Sequence, residues 1–157
     1  MEDSSTYIKI CEFLRQNEID FKSIEHEPTY TSEESAKVRG EDLSIGGKAI
    51  LMKVDTDFYL FVLSAAKKLD SKKIKAHLKA KKIRFCTSQE LFDMCKLVPG
   101  SVPPFGNPIL PFKLFLDESI IKNEKIAFNA GSLTNSIIFK TSDYLKVANA
   151  EIFDFSE

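Results

Sequence analysis

Apolar positions along the chain alternate between helical and strand spacing. From Ser5 to Asn17, Tyr7, Ile8, Cys11 and Leu14, with Ile10 beside them, fit one face of an amphipathic helix. Asp20 to Glu25 is short and β-like. Thr31-Ser-Glu-Glu34 is a capping-box pattern, in which Thr and Glu satisfy each other's backbone amides; it predicts a helix to about Arg39, stopped at Gly40. Gly46-Gly47 breaks the chain before Lys48-Ala-Ile-Leu-Met-Lys-Val54, and Asp55-Thr56-Asp57 turns it into the apolar run Phe58 to Ala65, so the two runs predict a β-hairpin.

Asp70 is placed to cap a helix to about Ala80. Ile74 and Leu78 are expected inside it, with Lys68, Lys72, Lys75, Lys79 and Lys82 following the helical repeat outside. Ile83 to Cys86 reads as a strand, and Thr87-Ser-Gln-Glu90 is a second capping box opening a helix to about Lys96. Phe112 to Leu116, Ile126 to Asn129 and Ser136 to Lys140 read as strands. Thr141 opens a helix to about Val147, and Glu151 to Phe155 is an edge strand. Interspersed strands and helices with both hairpins and crossovers predict one α/β domain over residues 1–157, with a curved, mixed, barrel-like sheet flanked by helices.

Charge changes this picture. From Lys67 to Arg84 there are nine bases and one acid, a segment of +8 in a chain of net −1. A chain polarised in this way can hold a polyanion on one face while staying near neutral overall. No apolar run approaches the roughly 20 residues of a membrane span. The acidic start MEDSSTYIKI lacks the features of a signal peptide, so a cytoplasmic protein is expected. Cys11, Cys86 and Cys95 are odd in number and have no CxxC spacing, which argues for free thiols rather than disulfides or a zinc site.

The chain has no GxSxG elbow, Walker loop, GxGxxG or HExxH, and its only histidines, His26 and His77, lie far apart in sequence. His77, among lysines, is expected to be solvated. What remains is backbone and isolated charge. Leu97-Val-Pro-Gly-Ser-Val-Pro-Pro-Phe-Gly-Asn-Pro108 places four Pro and two Gly in twelve positions. A stretch stiffened in this way is either a rigid surface loop or a frame that holds backbone N–H groups toward an oxyanion. Phe128-Asn-Ala-Gly-Ser132 is either a tight turn or a place of close backbone approach. Lys48 either faces solvent or points into a partly apolar pocket to hold an anion. His26 either lines that pocket or serves a turn.

These pieces occur in a familiar order. His26-x-x-Thr29-x-Thr31-x-Glu-Glu34-x-Ala36 is followed by Gly47-Lys48-Ala49 and Leu69-Asp70. Gly100-Ser-Val-Pro-Pro-Phe-Gly106, Leu116-Asp117-Glu118 and Phe128-Asn-Ala-Gly-Ser132 with Ser136-Ile137 complete the series. The chain resembles the YbaK and prolyl-tRNA-synthetase-associated editing domain family, from about His26 to Val147. The resemblance implies a free-standing aminoacyl-tRNA deacylase that hydrolyses the ester of a mischarged tRNA without metal or organic cofactor. Part of the catalytic equipment would be the tRNA's own terminal hydroxyl. The resemblance makes Lys48 the pocket lysine near the terminal adenosine. It puts Gly100 and Gly131 at the reacting ester, in the GxxxP loop and the facing loop. His26, Thr29, Thr31, Ser101, Val102, Pro104, Phe105, Asn129, Ala130 and Ser132 are then expected to bind substrate, and Lys68, Lys72, Lys75, Lys79 and Lys82 to meet tRNA phosphates. Prolyl-tRNA synthetase is an expected partner, and alanine on tRNA(Pro) the first expected ester, with Cys, Ser and Thr esters as alternatives. A tRNA- or synthetase-binding module without turnover is the other reading. Many relatives carry a polar residue, often His, two positions after the Asn-Ala-Gly glycine. Here it is Leu133, so either the pocket is more apolar or this side chain points away.

Overall fold

The computed structural model describes residues 5–157. The hydrophobic runs sort into two sheets. In chain order the elements are α1 (Ser5–Gln16), β1 (Lys22–Glu25), α2 (Ser32–Arg39), a 3-10 turn (Leu43–Ile45), β2 (Gly47–Val54), β3 (Asp57–Ser64), α3 (Ser71–Leu78) and β4 (Ile83–Phe85). They continue with α4 (Ser88–Cys95), β5 (Leu114–Leu116), α5 (Glu118–Ile121), β6 (Lys125–Asn129), β7 (Asn135–Lys140), α6 (Thr141–Ala148) and β8 (Glu151–Ile152). One sheet is mixed, in the order β4-β2-β3-β5-β8, and the other is antiparallel, in the order β1-β7-β6. The α/β domain expected from sequence is present, with its strands divided between two sheets where one was expected. β7 has β1 on one edge and β6 on the other. A parallel bridge between Gly46 and Ala127 joins the two sheets.

β3 explains why the domain has two apolar layers. Leu60 and Val62 face one cluster, and Phe61 and Leu63 face the other, so the strand is buried on both sides. A near-continuous apolar run is what such a central strand needs. The first cluster takes Ile10 and Leu14 of α1 together with Phe105, Phe128 and Tyr144. The second packs Ile74 of α3 against Phe115 and Phe155, with Leu78 at its edge.

Both capping boxes form as read, on Thr31 and Glu34 for α2 and on Thr87 and Glu90 for α4. The α1 stripe is shifted from the expected one. Ile10 is fully buried and Ile8 is half exposed, because two residues turn a helix by roughly 200° and put them on opposite sides. β5 is shorter than expected, since Phe112 bends back to bond Leu110. α5 follows Asp117, whose carboxylate caps Ser119 and also accepts from the Phe155 amide at 2.7 Å and the Ser156 hydroxyl at 2.9 Å. Asp117, part of the family pattern, thus ties down the C-terminal segment. The expected edge strand ends at Ile152, and Phe155 goes on into the second core. Among the described residues no helix is long and apolar enough to cross a membrane.

Candidate active site

The proline-rich loop is built from inside the first core. Leu97 and Phe105 are buried at its two ends. Phe105 packs edge-on against Phe13, Phe128 and Tyr144. The Tyr144 hydroxyl donates to the Pro104 carbonyl at 2.7 Å, and the Ser101 side chain bonds both the amide and the carbonyl of Val98. Pro104, Phe105 and Ser101 are therefore the frame of the loop. The exposed work is left to Gly100, at φ 90°, and to Val102. Among the described residues the amides of Gly100 and Val102 donate to nothing, so both remain available to a bound oxygen.

The facing turn is joined to this loop by one side chain. Asn129, at the end of β6, donates through Nδ2 to the Gly100 carbonyl at 2.9 Å. Gly131 does not reach the cleft with its open side: at φ 73°, a Cβ there would sit 2.6 Å from Thr6 of α1. Its small size serves helix packing. Ala130 is buried, with its amide on the Asn135 carbonyl, and Ser132 caps the Thr134 amide. Leu133 lies beside Gly100, its Cδ2 about 3.3 Å from where a Cβ would be, and its carbonyl accepts from the Thr29 amide.

Between these turns and β2 lies a cavity of about 270 Å³. It has room for a small aminoacyl group. The start of β2 supplies Gly47 and Lys48, α2 and the segment before it supply Thr29, Thr31, Ser35 and Arg39, and the two turns supply Gly100, Val102 and Asn129. Of the residues singled out in the sequence, Thr29, Thr31, Lys48, Gly100, Val102 and Asn129 meet here. His26, Ser101, Pro104, Phe105, Ala130, Gly131 and Ser132 surround the site without lining it. His26 is held from behind, by the Glu27 carbonyl at Nδ1 and by Ser136 Oγ at Nε2.

Lys48 is half-buried, and its ammonium donates to the Lys67 carbonyl at 3.0 Å. Burial lowers its pKa, with the charge of Glu33 working the other way. The sequence reading missed Arg39. Its Nε donates to Ser136 Oγ at 2.9 Å and its Nη2 to Asn129 Oδ1 at 3.1 Å. Burial pushes its pKa down to about 10, and no carboxylate pairs with it among the described residues. The cavity wall therefore carries two cations and no acid. The hydroxyls of its wall, Thr29, Thr31, Ser32 and Ser35 among them, have no carboxylate or imidazole among the lining residues to activate them, and Cys95, outside the cavity, is pushed up to about 11 by burial. What the arrangement can do is polarise a carbonyl and stabilise negative charge on its oxygen.

The 26–147 segment matches the aminoacyl-tRNA editing domain family. The chain belongs to that family. Relatives extend the match. The Multifunctional Ser/Thr-tRNA deacylase ProXp-y of Escherichia coli K12 is 32% identical over 97% of this chain and 93% of its own length. The prolyl-tRNA editing protein ProX of Acetoanaerobium sticklandii is 24% identical over 87% of each. A crystal structure described as a trans-editing enzyme for prolyl tRNA synthetase superposes with a TM-score of 0.85 at 22% identity, covering 99% of both chains, and shares the fold. As a member of the editing family the chain is an aminoacyl-tRNA deacylase, and a reaction that needs no side-chain nucleophile agrees with the cavity.

The basic segment begins at the cavity's edge, where Lys67 holds Lys48. Lys68, Lys72, Lys75, Lys79 and Lys82 are all exposed. Lys75 and Lys82 line a second hollow with Lys53, Lys81 and Arg84, whereas Lys73 is spent on Asp154 and Arg84 on Glu90. His77 is not simply solvated: it stacks on Phe153 at 3.8 Å and bonds Glu151 at 2.7 Å.

Proposed function

We propose that this deacylase acts in trans on tRNA carrying serine or threonine, and hydrolyses the ester at the terminal ribose. The observation that carries this reading is the polar wall of the cavity. Thr29 and Ser35 share a hydrogen bond of 2.8 Å there, beside Arg39 and Asn129. Alanine on tRNA(Pro), the first expectation from sequence, would suit a small apolar wall better. The E. coli relative is a Ser/Thr-tRNA deacylase, which agrees with a hydroxylated amino acid.

In this reading the ester carbonyl oxygen lies against the amides of Gly100 and Val102. Lys48 holds the terminal adenosine. Water, positioned by the neighbouring ribose hydroxyl, adds to the carbonyl carbon. The tetrahedral oxyanion takes hydrogen bonds from donors already fixed by the stiff loop, so little reorganisation is needed. It collapses by breaking the bond to the ribose oxygen, which leaves with a proton, and the free amino acid carries the water's oxygen. The exposed lysines of α3 and the segment beyond it meet acceptor-stem phosphates, giving affinity that is independent of sequence and weakened by salt. We place the reaction in the cytoplasm, where charged tRNA is made; any contact with prolyl-tRNA synthetase would assist delivery and not chemistry.

A panel of tRNAs charged with serine, threonine, alanine or cysteine, tRNA(Pro) among the carriers, tests this. Seryl and threonyl esters are expected to be cleaved fastest. Faster loss of alanine than of serine would overturn the amino-acid assignment. Salt-sensitive tRNA binding with no cleavage of any ester would favour the binding-module reading, for which the basic face is the only specific support.

A further inference from the structure

Arg39 is the last residue of α2, and the charge at that position reads in sequence as an ordinary favourable end to a helix. Its surroundings call for another explanation. Two of its three nitrogens are consumed by Ser136 and Asn129, and Nη1 donates to no group among the described residues. The guanidinium is partly buried, lacks a carboxylate among the described residues, and forms part of the cavity wall. Gly46 lies beside Nη1, at ordinary contact distance: a Cβ there would be 3.7 Å from it, and the close approach at this glycine is to the Ala65 Cβ at 3.0 Å. Ser136, which anchors Nε, is fully buried and is itself fixed by His26 at 2.8 Å. A partly buried cation held on two sides, with one donor edge left over, is set up to receive an oxygen.

The same network ties the guanidinium to the proline-rich loop. Arg39 bonds Asn129 Oδ1, and Nδ2 of the same amide bonds the Gly100 carbonyl. Arg39 is thus one side chain away from the loop assigned to the ester oxygen. Arg39, Asn129, Gly100 and Val102 line the same cavity, so a group bound beside the ester can reach the guanidinium. We propose that Arg39 is a specificity-determining residue, whose Nη1 donates to the side-chain hydroxyl of a seryl or threonyl ester. Alanine in the same place leaves the donor edge desolvated and unpaired. A site built to bond a hydroxyl discriminates against the analogue that lacks it far better than an apolar pocket discriminates by size.

This inference rests on the seryl or threonyl assignment proposed above, and the test separates the two. Measure kcat/KM on seryl and alanyl esters of one tRNA for wild type, Arg39→Met and Arg39→Lys. The wild-type preference for serine is expected to be about 10- to 100-fold, the range of a hydrogen bond to a charged group. In Arg39→Met the ratio should fall to near unity, chiefly through the seryl ester, with Arg39→Lys restoring part of it. A general loss of structure would lower both rates together and leave their ratio unchanged. An unchanged ratio in a variant that still cleaves esters would overturn the Arg39 assignment and leave the deacylase standing. A wild type that cleaves both esters without preferring serine would remove the seryl and threonyl assignment itself. A measurement on wild type needs no variant to fold: the Arg39 Nε–H resonance should shift with a seryl 3′-amide of adenosine and stay in place with the alanyl analogue. Equal shifts with both would contradict the proposal.

Discussion

Lys48→Ala is expected to lower kcat/KM for ester cleavage by about 100-fold or more, comparable to removing one fixed donor from a catalytic site. The fold should hardly respond. Lys48, second in β2, lies opposite Leu63, but its side chain lines the cavity, and among the described residues its hydrogen-bond partner is the Lys67 carbonyl. That carbonyl belongs to an exposed residue and can turn to water when the ammonium is gone. Thermal unfolding beside single-turnover cleavage separates the two effects. An unaltered melting temperature with a collapsed rate is the expected pair, whereas full activity in the variant would remove Lys48 from the mechanism.

Phe105→Ala is expected to have the largest effect on stability, about 3–5 kcal/mol, the cost of deleting a buried aromatic ring. Phe105 is 2% exposed and meets three other rings. It also fixes the position of Pro104, whose carbonyl is already held by Tyr144. A loss of that size corresponds to a fall in melting temperature of roughly 10 °C for a chain of this length. The consequence for activity follows from geometry. The loop that carries Gly100 is held by its ends in the core, so loosening one end should impair cleavage at temperatures where the variant is still folded. Urea titration and cleavage at low temperature check both parts. A loss below 1 kcal/mol would mean that the loop is anchored elsewhere.

These two residues mark what the sequence made legible. The local signals were strong: Thr31 with Glu34 and Thr87 with Glu90 fixed two helix starts, and the alternation around Asp55 fixed the β2–β3 hairpin. The crowding of Pro and Gly between Leu97 and Pro108 pointed to the loop that carries Gly100. Pairing between distant strands was not legible. Nothing local says that β1 joins β7, more than a hundred residues later, so one sheet was expected where there are two. The α1 stripe was ambiguous because Ile8, Ile10 and Cys11 are adjacent, and only packing selects among them.

Arg39 was illegible for the same reason. Its partners lie 97 and 90 residues away, at Ser136 and Asn129. In sequence it is one more basic residue before a C-capping glycine. Gly131 shows the opposite case, a residue assigned to the cleft by its neighbours and assigned by packing to α1, since Thr6 fills the space where its Cβ would be. Family pattern identifies a turn as a unit; which of its residues faces the substrate depends on contacts made elsewhere.

The most direct test is where an acylated adenosine binds. A 3′-amide analogue of seryl-adenosine cannot be hydrolysed and can be titrated into isotope-labelled protein while backbone amide resonances are followed. The amides of Gly100 and Val102 are expected to move furthest, with Lys48 and Asn129 next, and residues of the second hollow such as Lys81 and Lys82 unchanged. Saturable shifts confined to any other surface, with Gly100 and Val102 silent, would contradict the site described above.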